Sequence, residues 1–387
     1  MKQLLFFFIS FFALNSIIAQ TNTLSEYAEI SLLSCERGLE AYNSYGHSAL
    51  RVKDPITELD LVFNYGTFDY NTEYFVPKFV KGTLDYSLSV GAFKWFINTY
   101  KYENRTVVEQ ILNLNQAEKQ AVFDRLIVNY ETDEKYYRYD FFYDNCSSRI
   151  HEILKEVLGD ELIYGPDLNE NSPETFRDLI DPYTKHSPWL DFGIGIIMGF
   201  PTDNIATNKQ KMFLPDFLME RFDIATYNGK PFVKSKQIIY QSEPNIVKTN
   251  IFTSPLFIFS LISLLIICLS IFNYFKGKHF YSIDYFLFFI TGFVGIFFLF
   301  MWFGTRHSPT FMNMNMFWAM PLNIIALFFL KNPKIKPYLI LMTLLNVFGF
   351  FILPQVFTIA ILPLTLLLAT RYFKNYLGLA VFLTNKT

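Results

Sequence analysis

The chain has 387 residues, of which 51% are hydrophobic and 19% aromatic, with 45 phenylalanines, well above ordinary globular usage. Its formal net charge is -2 and no basic patch with interleaved aromatics occurs, which sets nucleic acid aside as a partner. The length allows two domains. The apolar excess is concentrated after about residue 250, while the part before it is mixed and charged.

The first residues, MKQLLFFFISFFALNSIIAQ, carry one lysine, an apolar core from Leu4 to Leu14 and small residues ending at Ala19. This pattern predicts a secretory signal peptide at 1–19, cleaved before Gln20; an uncleaved anchor helix is the alternative. In either case the segment at 20–250 is exported.

Within that segment YAEISLLS reads as a strand. In SYGHSALRVKD a second strand puts His47, Ala49 and Arg51 on one face and Ser48, Leu50 and Val52 on the other. Asp54-Pro55 is a turn, and ELDLVFNYGTFD follows as a third alternating strand expected to pair with the second. Residues 71–100 are aromatic-rich and irregular, either core or a groove for an apolar chain. TVVEQILNL reads as a strand and NQAEKQAVFDRLIVNYE as a helix. The stretch FFYDNCSSRIHEILKEVLG at 141–159 repeats apolar side chains at helical spacing: Ile150, Ile153, Leu154, Val157 and Leu158. Counting back one turn sets Cys146 on the same stripe. Residues 160–250 carry no assignable chemistry and read as a lid, a docking surface or a connector.

Hydrophobic runs at 251–275, 283–303, 316–330, 338–353 and 356–370 predict five membrane helices within a domain at 251–375, followed by a tail at 376–387. The last three runs are shorter than the roughly 20 residues of a straight span, and Pro321 and Pro363 are expected to bend them. Lys276, Lys278, Lys331, Lys334, Lys336, Arg371 and Lys374 follow the first, third and fifth runs, so those ends are cytoplasmic by the positive-inside rule. The exported segment then lies outside an inner membrane, as the signal peptide also requires. The outward loop GTRHSPTFMNMNMFW holds Arg306, His307, Asn313 and Asn315 at the membrane boundary, where polar groups are costly unless used or paired. It reads as a lipid-headgroup or acceptor contact, or as an interfacial turn anchored by Trp302 and Trp318.

The chemistry centres on Cys146. Asp144, Asn145, Ser147 and Ser148 are residue types that cap a helix N-terminus, where free N–H groups and the helix dipole favour an anion. A cysteine there is held as a thiolate near neutral pH, the form a nucleophile needs. A Cys35–Cys146 disulfide is the alternative in an oxidising compartment. No His/Cys pair has zinc-ligand spacing, so neither metal nor cofactor is expected. A nucleophile needs a base. His151 lies roughly 140° around the helix from Cys146 and reads as a surface residue, while His186 and His307 sit elsewhere. By elimination His47 is the base, with Asn64 or Asp60 of the adjacent strand as its orienter. Arg51 and Arg149 are candidates for phosphate or oxyanion contacts, against salt bridges to Asp140, Asp144 or Glu152.

A nucleophilic Cys at a helix start packed on a sheet that bears the His is the papain-like layout. The order His, long insertion, Asn-Cys resembles the circularly permuted branch of NlpC-type enzymes that includes the lecithin retinol acyltransferase group. The residues after the cysteine, Ser147-Ser148, depart from that group's Glu-His, and Asn64 stands where the group has a second histidine. Across nearly the whole chain, the signal peptide, YGHSALRV, NYGTFDYNTEYFVPKFVKGTLDYSLS, FFYDNCSSR and membrane helices with His307 and Asn313-x-Asn315 resemble the Lnb family of lipoprotein N-acyltransferases. The resemblance implies an α+β, permuted papain-like (NlpC-like) periplasmic domain followed by an all-α transmembrane bundle of about five helices. It also implies transfer of a fatty acyl chain from a phospholipid, through Cys146, to the α-amino group of a diacylated lipoprotein. The catalytic residues would be Cys146, His47 and Asn64; Asn145, Arg149, Arg51, His307, Asn313 and Asn315 would contact substrate. A membrane-tethered peptidase or amidase acting on cell-wall peptides, and a non-catalytic membrane-anchored binding module, are the alternatives.

Overall fold

The computed structural model describes residues 23–166, 173–244, 250–276 and 281–384, so the expected signal peptide lies outside the described residues. In chain order the exported half contains β1 (Glu29–Cys35), β2 (His47–Asp54), β3 (Leu59–Thr67), α1 (Phe75–Lys81), β4 (Asp85–Ala92), α2 (Phe93–Tyr102) and β5 (Val107–Leu112). It continues with α3 (Gln116–Glu131), β6 (Tyr136–Arg138), α4 (Cys146–Leu158), α5 (Phe176–Thr184), α6 (Pro188–Ile197), α7 (Pro215–Ile224) and β7 (Val233–Tyr240). Then come α8 (Pro255–Phe275), α9 (Tyr281–Phe303), α10 (Asn323–Phe329), α11 (Lys336–Ile352) and α12 (Leu362–Thr384). The architecture is mixed α+β. It divides into two compact units: residues 23–73, 84–166 and 207–244 form the first, and 74–83, 173–206, 250–276 and 281–384 the second.

The first unit is built on a seven-stranded antiparallel sheet of order β7-β5-β1-β2-β3-β4-β6. Because alternate side chains of a strand point to opposite faces, β1 and β2 feed two cores at once. Leu32, Leu50, Val52 and Phe63 pack with Val122, Phe123 and Leu126 of α3 and with Ile150 and Leu154 of α4. Leu33, Ala49 and Val62 pack with Ile97 and Tyr100 of α2. Each buried Val, Leu, Ile or Phe among them stabilises the fold by about 1.5–3 kcal/mol. The expected pairing of the second and third strands is present, with Leu50 opposite Phe63. Residues 71–100 are regular rather than irregular, folding as α1, β4 and α2. Their aromatics masked the strand DYSLSVGA, whose polar and small residues give it little apolar signal.

In the second unit three helices are long and apolar enough to cross a membrane: Pro255–Asn273, Tyr281–Phe303 and Pro333–Ile352. The expected third span at 316–330 is instead a turn at Met314–Phe317 followed by the seven-residue α10, too short to cross a bilayer by itself. The expected fifth run begins late and runs long, as α12, so the expected tail from 376 is helical as far as Thr384. Pro321 and Pro363 stand before or in the first turn of helices, where a missing N–H costs nothing, and not at mid-helix bends. The buried Arg371 of this unit is paired: its Nε donates to Asp284 Oδ1 at 2.6 Å and a terminal nitrogen to Ser270 Oγ at 2.6 Å. Such pairing is what makes an ionised group tolerable among apolar helices.

Candidate active site

The site of the first unit starts from the cap of α4. Asn145 accepts from the backbone N–H of Ser147 at 2.9 Å and of Ser148 at 3.0 Å, and Ser148 Oγ accepts in return from the Asn145 N–H at 2.7 Å. The Asn145 amide donates to the carbonyls of Phe141 and Phe213 at 2.8 and 2.9 Å, tying the helix start to its surroundings. Every polar atom of Asn145 is thus used in positioning the next residue. These bonds fix Cys146 in place at the helix start.

His47 opens β2, and its side chain forms a hydrogen bond with Cys146. His47 Nε2 donates to Asn64 Oδ1 of β3 at 2.5 Å, which leaves Nδ1 for the sulfur. Asp60, the other candidate orienter, is taken by Arg51, at 2.7 and 2.8 Å. Burial works to raise the Cys146 thiol. The positive ring of His47, its hydrogen bond, the Ser48 backbone N–H and the Ser147 hydroxyl outweigh burial and bring the thiol down to about 7. Burial works equally to discharge His47, yet the Cys146 thiolate and the bonds to Cys146 and Asn64 hold its pKa above the ordinary imidazole value. Both shifts favour the charged form of their group, and a thiolate beside an imidazolium is the form suited to nucleophilic attack followed by proton donation.

Two residues that the sequence did not single out complete the surroundings. Gly66 adopts φ +91, and a Cβ added there would lie 3.8 Å from Cys146 Cβ and 3.9 Å from the Tyr137 hydroxyl. A side chain at this position would be strained and would point between the two. Tyr137 is 6% exposed, its hydroxyl is buried without a hydrogen-bond partner, and burial keeps it protonated far above neutral pH. A lone tyrosine in an aromatic run carries no signal in sequence; its role emerges only when β6 pairs with β4 beside the thiol.

Other expectations come out differently. Cys35 and Cys146 are both free, and Cys35 is buried, pushed up to about 12 by that burial despite a hydrogen bond with Tyr100. His151 is not a surface residue: it is 3% exposed, packs edge-on to Tyr164 and is held by burial down to about 4. Arg51 pairs with Asp60 and Glu109 and stacks 3.5 Å over the Phe93 ring, the salt-bridge role, and so braces β2, β3, β5 and α2. Arg149 pairs with Asp144 at 2.5 and 2.7 Å and lies 4.2 Å over the Tyr137 ring, the salt-bridge alternative.

In the second unit, Asn313 and Asn315 are buried and committed to protein. Asn313 donates to the carbonyls of Ile196 and Ile197 and accepts from Asn315, while Asn315 donates to Ile196 and accepts from Trp318 Nε1. They pin the loop before α10 to α6 and leave no group to bind a lipid headgroup. Trp318 is 5% exposed, a core residue and not an interfacial anchor. His307 Nε2 donates to the carbonyls of Phe79 and Val80 at 3.2 and 3.1 Å, closing the C-terminus of α1. Among the described residues no group of three or more His, Cys, Asp or Glu is placed to hold a metal ion.

An α+β domain with a cysteine–histidine pair, continuous with a helical membrane domain, defines a membrane protein with its polar chemistry in the sheet domain. A family model described as the Lnb N-terminal periplasmic domain matches residues 18–181, and one described as the Lnb transmembrane domain matches residues 247–380. The chain belongs to the Lnb family. Membership makes it an inner-membrane protein and places it among lipoprotein-modifying membrane enzymes. No curated protein and no solved structure matches it.

Proposed function

We propose that this chain is a lipoprotein N-acyltransferase, moving a fatty acyl chain from a phospholipid to the α-amino group of a diacylglyceryl-cysteine lipoprotein. The observation that carries this reading is the thiol of Cys146, lowered to about 7 and hydrogen-bonded to a histidine that Asn64 orients. The thiolate attacks the phospholipid ester carbonyl, and the oxyanion that develops is met by hydrogen-bond donors beside Cys146, the Tyr137 hydroxyl among them. Collapse expels the lysophospholipid alkoxide, which takes the proton of the His47 imidazolium, and leaves an acyl-thioester on Cys146. The incoming amine then attacks the thioester and gives a proton to His47, and the thiolate departs from the new amide. Two-step chemistry suits two bulky lipid substrates that use one site in turn.

In this reading residues 20–250 face the periplasm and the C-terminus faces the cytoplasm, as the lysine and arginine clusters support. A peptidase reading accounts for the Cys–His pair but gives no role to the membrane helices. The deciding experiment is deletion of the protein in its host. Accumulation of diacylated lipoproteins, reversed by the wild-type chain and not by Cys146→Ser, is expected; full lipoprotein acylation with Cys146→Ser would sink the proposal.

A further inference from the structure

A cavity of about 270 Å³ lies in the first unit between α2 and the β3–β4 pair. Val62, Val90 and Phe96 supply apolar wall, and Trp95, 69% exposed, stands at the rim. Its polar wall includes Asn64, the residue whose Oδ1 accepts from His47 at 2.5 Å. One hydrogen bond therefore separates the cavity from the reacting imidazole. An aromatic at the rim of a hollow with apolar wall on one part and Asn64, Ser89 and Thr99 on another suits a ligand that is hydrocarbon at one end and polar at the other. We infer that this cavity receives the acyl chain destined for Cys146 and sets which chain lengths are transferred. The inference rests on the acyl-transfer reading and names the part of the site that selects its substrate.

Gly91 lines the same cavity, and a Cβ added there meets no atom within 4 Å, so a side chain can be introduced at this point of the lining. The full-length protein in detergent micelles is given an equimolar mixture of phosphatidylethanolamines of graded acyl-chain length, and the group on Cys146 is identified by intact-protein mass spectrometry. Gly91→Leu is expected to shift the distribution to shorter chains, with transfer falling about fourfold for each methylene excluded. Phe96→Ala is expected to shift it to longer ones, and it decides alone if Gly91→Leu is unreactive. Wild-type distributions in both variants overturn the inference. So does a change confined to the chain left on the lysophospholipid. An arm that needs no chemistry uses Cys146→Ala protein and a phosphatidylethanolamine brominated along its chains. Quenching of the fluorescence component that Trp95→Phe removes, relieved by Gly91→Leu, supports the cavity even if no acyl group ever forms on Cys146. Absence of that quenching overturns it. A wild-type protein that never acquires an acyl group therefore counts against the acyl-transfer reading and not against this cavity.

Discussion

Two clusters of polar side chains lie in apolar surroundings, one around Cys146 and one around Asn313 and Asn315, and they are satisfied in opposite ways. In the second unit each donor and acceptor of the asparagine pair ends on protein: carbonyls of α6, each other, or Trp318. In the first unit the groups satisfy one another only by separating charge between Cys146 and His47, and the Tyr137 hydroxyl is left without a partner. A saturated cluster holds structure together; one with an unspent donor and a displaced pKa is poised for a reaction. Polarity in an apolar setting therefore does not by itself mark a site. What marks it is the bonding capacity left over.

Breaking the reactive cluster has the largest expected effect. Cys146→Ala should lower acyl transfer by four or more orders of magnitude, measured as acyl groups appearing on a lipopeptide acceptor, with the fold unchanged by circular dichroism. Tyr137→Phe removes the unspent donor and should cost roughly 10²–10³-fold in kcat; a loss of less than threefold would remove Tyr137 from the site. The pH dependence sharpens the same contrast. Cys146 is lowered to about 7, so below that value the thiol regains its proton and the acylation rate should fall about tenfold per pH unit. On the alkaline side the rate should fall again above the raised pKa of His47, where the proton for the leaving group is gone. A flat profile between pH 5 and pH 8, checked by single-turnover thioester formation, would contradict the ion pair. The asparagine cluster should show the reverse pattern: Asn315→Leu is expected to lower stability by about 1–3 kcal/mol in thermal melts in detergent, with transfer per folded molecule unchanged.

Legibility in the sequence followed the same division. Strands β1, β2, β3 and β5 and helices α3 and α4 were readable because their periodicity and caps are local. The pairing of His47 with Cys146 was reachable by elimination, since the histidines are few. What failed depended on contacts from elsewhere in the chain. His151 faces outward on the isolated α4, but the segment carrying Tyr164 covers it. The polar loop after α9 looked like a ligand site because its hydrogen-bond partners, the carbonyls of Ile196 and Ile197, lie more than a hundred residues away in the chain. The cavity beside Asn64 was half legible: the aromatics of 71–100 fitted core or groove equally, and only the fold separates Phe93, stacked under Arg51, from Phe96, which lines the hollow.

Helix α1 makes the order of synthesis matter. It leaves β3 and returns to β4, yet it belongs to the unit that contains the membrane helices, where Arg306 N–H donates to Lys81 and His307 donates to Phe79 and Val80. Its own sequence buries none of its residues, and Val76 and Phe79 stay exposed. Gly82 and Thr83 cap it locally, and the His307 ring that bonds the carbonyls of Phe79 and Val80 is translated 227–228 residues later. A ribosome that has finished the sheet has therefore not yet made the partners of a helix inserted between two of its strands. A fragment cut at residue 250 would keep the local cap that Gly82 and Thr83 give the carbonyls of Lys78 and Phe79 but would lose the donors to Val80 and Lys81, so the exported half and the membrane half are poor candidates for exchange as independent modules.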